Sequence, residues 1–136
     1  VASRQFIDRY RQLQLDVGRS RFRSHTADIE AWQGFVRSCE SGYDNTVYDY
    51  LDELRVRDFI ELALCDRGLI NEDGYAEFAQ TIDDIDERFR ALVSEVLPPS
   101  RVDRLGWWWR RVPGFGGIDF VDTLFREFGV VARNIE

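Results

Sequence analysis

The stretch Asp44–Leu64, DNTVYDYLDELRVRDFIELAL, decides the fold. Val47, Leu51 and Leu54, then Phe59, Ile60, Ala63 and Leu64, recur three and four residues apart, the period of one helix face. Six acids and two arginines lie between them, so an apolar stripe has a charged back. This pattern predicts the central helix of a small helical domain, or two short helices meeting near Arg55. Asp44 or Asn45 is the expected N-cap. Arg57 stands four residues from both Glu53 and Glu61, the spacing of ion pairs along a helix.

Toward the N-terminus, Ser3 is placed to cap a helix running to about Val17, with Phe6, Ile7, Tyr10, Leu13 and Val17 on one face. Gly18 ends it. The basic segment Arg19–Arg23, RSRFR, reads as a solvated linker or as a contact for an anion. Ser24 or Thr26 opens a second helix, with Ile29, Trp32, Phe35, Val36 and Cys39 at helical spacing, and Gly42 closes it. On the other side of the central stretch, Gly68 reads as a helix stop. Leu69–Gly74, LINEDG, follows as a turn-rich loop. It echoes a calcium loop but has Leu69 at the first acidic position and Gln80 at the bidentate one, which excludes that site.

Gly74–Val96 reads as a third long helix, with Phe78, Ile82, Ile85, Phe89, Leu92, Val93 and Val96 as its buried stripe. Pro98 and Pro99 end it. Arg101–Gly117, RVDRLGWWWRRVPGFGG, is an aromatic-rich loop. If it is extended, Trp107 and Trp109 share one side and Trp108 takes the other. Ile118–Gly129 is a final short helix, and Val130 and Val131 pack as an extended tail. The fold expected is all-α: one helical domain over residues 1–136, of four to five helices, with the aromatic loop near its C-terminus. At 136 residues the chain buries a core without disulfides or metals.

All eighteen basic residues are arginine, and the net charge is −7. That charge is uneven. Residues 1–23 hold six arginines and two aspartates, while residues 24–100 hold six arginines and eighteen acids. An acidic middle argues against nucleic acid as a partner and favours a basic protein surface. The bland reading is an ordinary solvated face with internal ion pairs. No stretch reaches the length of a membrane span and no signal peptide pattern opens the chain, so a cytoplasmic protein is expected.

The candidates for chemistry are few. His25 is the only histidine, so any histidine-based catalytic arrangement has to be built on it. Cys39 and Cys65 lack a metal or redox spacing. Asp83, Asp84, Asp86 and Glu87 crowd the polar face of the third helix. They read as solvated surface, as a partner-binding face, or as a carboxylate pair for acid–base work or a metal. No Glu-x-x-His motif accompanies them, as the ligand sets of di-metal bundles require. Neither a cofactor nor a metal is expected. Trp107, Trp108, Trp109 and Arg110 either pin the loop to the core or supply a binding hot spot, the role for which tryptophan and arginine are most enriched.

Three segments together resemble a known group: Tyr48-x-Tyr50-Leu51-x-x-Leu54-x-Val56-Arg57-Asp58-x-Ile60-Glu61, then Ile85-Asp86-Glu87-Arg88-Phe89, then Trp107-Trp108-Trp109-Arg110 ahead of a proline. In that order, across residues 44–115, they resemble small helical bacterial immunity proteins of contact-dependent or related toxin systems. The resemblance implies a non-catalytic protein that binds a cognate toxin and blocks its active site or its assembly. The expected partner-binding residues, taken from the charge and tryptophan patterns, are Asp83, Asp84, Asp86, Glu87, Trp107, Trp108, Trp109 and Arg110, facing a protein partner such as a basic toxin domain. The alternative is a helical scaffold or adaptor, monomeric or homodimeric; an enzyme with paired carboxylates is the third reading.

Overall fold

The structure is a computed structural model and describes residues 1–97 and 106–136. The described residues are mostly helical, with two small two-stranded sheets. They fall into two compact units, Val1–Gln33 with Val56–Asp86, and Gly34–Arg55 with Glu87–Glu136.

In the first unit, helix α1 (Arg4–Asp16) starts where expected. The Ser3 hydroxyl accepts the Phe6 N–H at 3.1 Å, satisfying one of the donors that a helix start leaves open. Helix α2 (His25–Ser41) begins at Ser24, whose Oγ accepts the Ala27 N–H. Helices α4 (Arg55–Leu64) and α6 (Tyr75–Leu92) contribute Phe59, Ile60, Ala63, Phe78, Ile82 and Ile85 to a core shared with Phe6, Tyr10 and Trp32. Gly68 does not stop a helix. It lies inside a four-residue helix, α5 (Arg67–Ile70), so the expected LINEDG loop is in part helical.

In the second unit, helix α3 (Val47–Glu53) gives the central stretch its first half. The break falls at Leu54, so the central stretch forms two short helices. The N-cap of α3 is Thr46, not Asp44 or Asn45: its hydroxyl accepts the Asp49 N–H, and the Val47 N–H is taken by Thr123 Oγ1 at 2.8 Å. The third long helix is shorter than expected. It ends at Leu92, and Val93–Val96 forms strand β1, antiparallel to β2 (Arg111–Pro113). β-Branched valines suit the pleated pairing better than a further helical turn. Pro98 and Pro99, expected to end that helix, lie outside the described residues.

Strand β3 (Phe115–Gly116) runs parallel to β4 (Arg133–Asn134), which lies beyond the expected tail of Val130 and Val131; Val131 is 73% exposed and does not pack as expected. Between the two strands, helix α7 (Ile118–Phe128) ends at Gly129, whose φ of +68° is the left-handed cap that glycine adopts without strain. The core of this unit holds Phe35, Val36, Cys39, Tyr43, Tyr50, Phe89, Phe120 and Leu124, with Trp108 and Trp109. With seven α-helical segments among the described residues, the expected count of four to five is corrected. The split at Leu54 and the short α5 account for the excess.

Candidate functional site

Helix α6 does not present its four acids as one surface. Asp83, Asp84 and Glu87 are exposed, and Asp84 accepts a hydrogen bond from Gln80 Nε2 at 2.9 Å. Asp86 is turned inward and is 4% exposed. Its Oδ1 accepts from Trp32 Nε1 at 2.9 Å and from Arg57 Nε at 3.0 Å, and its Oδ2 accepts from Arg57 Nη2 at 2.8 Å. Burial disfavours the Arg57 charge, but the hydrogen bonds to Asp86 and Glu61 outweigh it and raise the Arg57 pKa. Asp86 is therefore corrected from a surface residue to an internal ion-pair partner, which takes it out of any carboxylate pair on the exposed face. Of the two expected pairs on Arg57, the one with Glu61 is present at 3.0 Å, while Glu53 accepts the Tyr43 hydroxyl.

The tryptophan run is not extended. Trp107–Arg110 forms one turn of 3₁₀ helix, which removes the expected alternation of sides. Trp108 and Trp109 are buried, Trp107 is half-buried and Arg110 is exposed. Trp107 meets Trp108 edge to face at 5.7 Å, lies 5.9 Å from the Phe89 ring, and has the Arg90 guanidinium 4.2 Å above it. A Cβ on Gly106 would collide with the Trp108 ring, so the residue before the run has to be glycine. Two of the three tryptophans thus pin their segment to the core of the second unit, leaving Trp107 and Arg110 accessible.

A surface that the sequence reading passed over lies on α3 and α7. The two helices pack side by side, joined by the bond between the Val47 N–H and Thr123. α7 turns Ile118, Asp119, Asp122, Phe125 and Arg126 outward, and α3 turns out Tyr48, Asp49, Asp52 and Glu53. Phe125 is 60% and Tyr48 53% exposed. Tyr48 bonds Glu127, which raises its hydroxyl pKa. Asp52 lies 3.6 Å from Arg55, an exposed pair of little energetic weight. The signal for this face was present in the sequence: Asp119, Asp122 and Phe125 recur at i, i+3 and i+6, opposite Phe120 and Leu124.

In the first unit the expected linker 19–23 is tied down. Asp28 is fully buried and accepts from Tyr10 Oη at 2.6 Å and from Arg19 through both of its oxygens, at 2.8 and 2.9 Å; Arg23 Nε lies 3.3 Å away. Gln14 bonds the backbone of Arg23 in both directions, donating to its carbonyl and accepting its N–H, each at 2.8 Å. His25 sets its ring edge-on to Phe6, Tyr10 and Phe78. Its pKa is lowered by partial burial, with Asp28 pulling the other way. Cys39 is buried and burial pushes its pKa well up; Cys65 is exposed, with its pKa raised by desolvation and by Glu61.

Among the described residues, no three His, Cys, Asp or Glu side chains are grouped to hold a metal, and no helix is long and apolar enough to cross a membrane. No family model, curated protein or solved structure matches the chain.

Proposed function

We propose that this chain is a non-catalytic protein-binding module of the immunity type, one that neutralises a cognate bacterial toxin by covering it. The observation that supports this reading is the exposed surface of α3 and α7, which carries four acids, Asp49, Asp52, Asp119 and Asp122, and two large aromatic side chains, Tyr48 and Phe125. Rigid aromatics supply contact area at small entropic cost, and the acids steer a basic partner into register. Asp83, Asp84 and Glu87 on α6, with Arg110 and the half-buried Trp107, are the remaining members at the surface of the residues first expected to bind a partner. Inhibition on this reading is steric and electrostatic, so no residue is assigned a chemical step.

The test is the salt dependence of association with a partner isolated by co-purification. The triple variant Asp49→Asn, Asp119→Asn, Asp122→Asn should slow association by about tenfold at low salt and flatten its dependence on ionic strength. An association rate untouched by that variant would remove the face from the reading. The alternative is a homodimeric helical scaffold, favoured by the apolar side chains left exposed at Phe125 and Val131, 60% and 73%. Sedimentation of the purified chain separates the two, because a dimer lost on Phe125→Ser assigns the face to self-association.

A further inference from the structure

A cleft of 280 Å³ opens in the first unit, between α1 and the segment 19–25 that leads into α2. Ile7, Tyr10 and Phe22 form its apolar wall, and Arg11, Arg23 and His25 also line it. Ile7 and Phe22 keep 48% and 44% of their surface exposed, so part of this wall is open to solvent.

The charges around this cleft do not cancel. Arg19 and Arg23 share the single carboxylate of Asp28, leaving one positive charge in excess. The Arg11 guanidinium lies 4.4 Å over the Phe22 ring and has no carboxylate partner among the described residues. Gln14 is spent on the backbone of Tyr10 and Arg23 and on Arg19, and the Ser24 hydroxyl is spent on the α2 cap. Arg23 turns its Nε to Asp28 and donates Nη2 to the Ala27 carbonyl at 3.3 Å, so the groups left to meet a ligand are the Arg11 fork and the Nη1 of Arg23, above an apolar floor. The volume is slightly under the roughly 300–1,000 Å³ of drug-sized sites, so the occupant is small. A planar guanidinium pairs best with a carboxylate, and the apolar wall calls for a hydrocarbon body.

We propose that this cleft binds a small carboxylic acid with an aliphatic or aromatic body, its carboxylate on Arg11 and Arg23 and its body against Ile7, Tyr10 and Phe22. The site lies outside the surface assigned to a protein partner and does not depend on that assignment. The probes are 3-phenylpropionate, octanoate, the neutral 3-phenylpropionamide and inorganic phosphate, each titrated into the ¹⁵N-labelled full chain and followed by amide shifts. At least one acid should saturate with a Kd below about 1 mM, moving the amides of residues 22–25. The amide and phosphate should bind at least about tenfold more weakly. Arg11→Gln, an exposed position, should cost the acid about tenfold and erase its advantage over the amide, with the remaining spectrum unchanged. Phe22→Ala should weaken acid and amide alike. Failure of both acids to saturate, equal binding of acid and amide, equal binding of phosphate, or an acid preference that survives Arg11→Gln would each overturn the proposal.

Discussion

Arg57 and Asp86 meet as a parallel fork, Nε to Oδ1 at 3.0 Å and Nη2 to Oδ2 at 2.8 Å, with side chains only 4% and 5% exposed. Removing either charge takes away the other's bidentate partner inside the core, leaving Asp86 with the Trp32 N–H or Arg57 with Glu61. Arg57→Leu and Asp86→Leu are each expected to lower the unfolding free energy by about 3–5 kcal/mol. The double variant Arg57→Leu, Asp86→Leu should recover about 1–3 kcal/mol relative to the sum of the singles. Urea denaturation followed by circular dichroism measures all four proteins, and strict additivity would show that the pair is not coupled.

His25 supplies a pH test. Burial lowers its pKa below the ordinary 6.5, so the unfolded chain binds its proton more readily than the folded one. Above pH 6.5 the ring is neutral in both states and makes no difference. As pH falls from 6.5 through the folded pKa, stability is lost. His25→Gln should therefore flatten the stability profile below about pH 6.5. As the single histidine, its ring Cε1 proton gives one NMR titration curve, and a midpoint at or above 6.5 would contradict the burial argument.

The tryptophan turn separates core from surface within one run. Trp108→Ala should cost about 3–5 kcal/mol, the penalty for emptying a large buried site. Trp107→Ala should cost less, because its side chain is only partly buried and its stacking with Arg90 is worth about 0.5–1 kcal/mol. Acrylamide should quench Trp107 ahead of Trp32, Trp108 and Trp109, so Trp107→Phe should lower the quenchable fraction of the emission. Equal quenching in both proteins would place a second tryptophan at the surface.

Gly129 isolates backbone strain from packing. A Cβ added there meets no atom within 4 Å, yet φ is +68°. Gly129→Ala should thus cost about 1–2 kcal/mol with no steric component, and Gly129→Asn about half as much. A thermal melt of the two variants checks the order, and an alanine variant as stable as the parent would refute the cap.

Local signals were legible and non-local ones were not. The Ser3 and Ser24 caps, the start and glycine end of α7, and the central stretch as helices meeting near Arg55 all follow from residues within a turn of one another. Asp44, Asn45 and Thr46 are each able to cap α3. Thr46 is selected with Thr123, 76 residues from Val47, occupying the Val47 N–H. Val93 continues the helical stripe as well as it begins a strand, and only the pairing with residues 111–113 decides. Asp86 was misplaced because four acids in five positions look like one solvated face. Its spacing held the correction: Ile82, Ile85, Asp86 and Phe89 stand at i, i+3, i+4 and i+7, so the aspartate lies inside the apolar stripe. An acid in that stripe requires a buried cation, and Arg57 in α4 is one. The exposed rings on α3 and α7 were overlooked for the opposite reason, since the more conspicuous tryptophans drew the assignment of hot spots.

The two thiols differ in one respect that bears on dynamics. Cys65 is open to reagents, whereas Cys39 sits at 0% exposure in the second unit, its ionisation suppressed by burial. In a Cys65→Ser background, alkylation therefore waits on the opening of the structure around Cys39. The rate of that reaction, compared with the rate for the unfolded chain, reports how often the second unit opens under native conditions. It does so with no label or substitution inside the unit being timed.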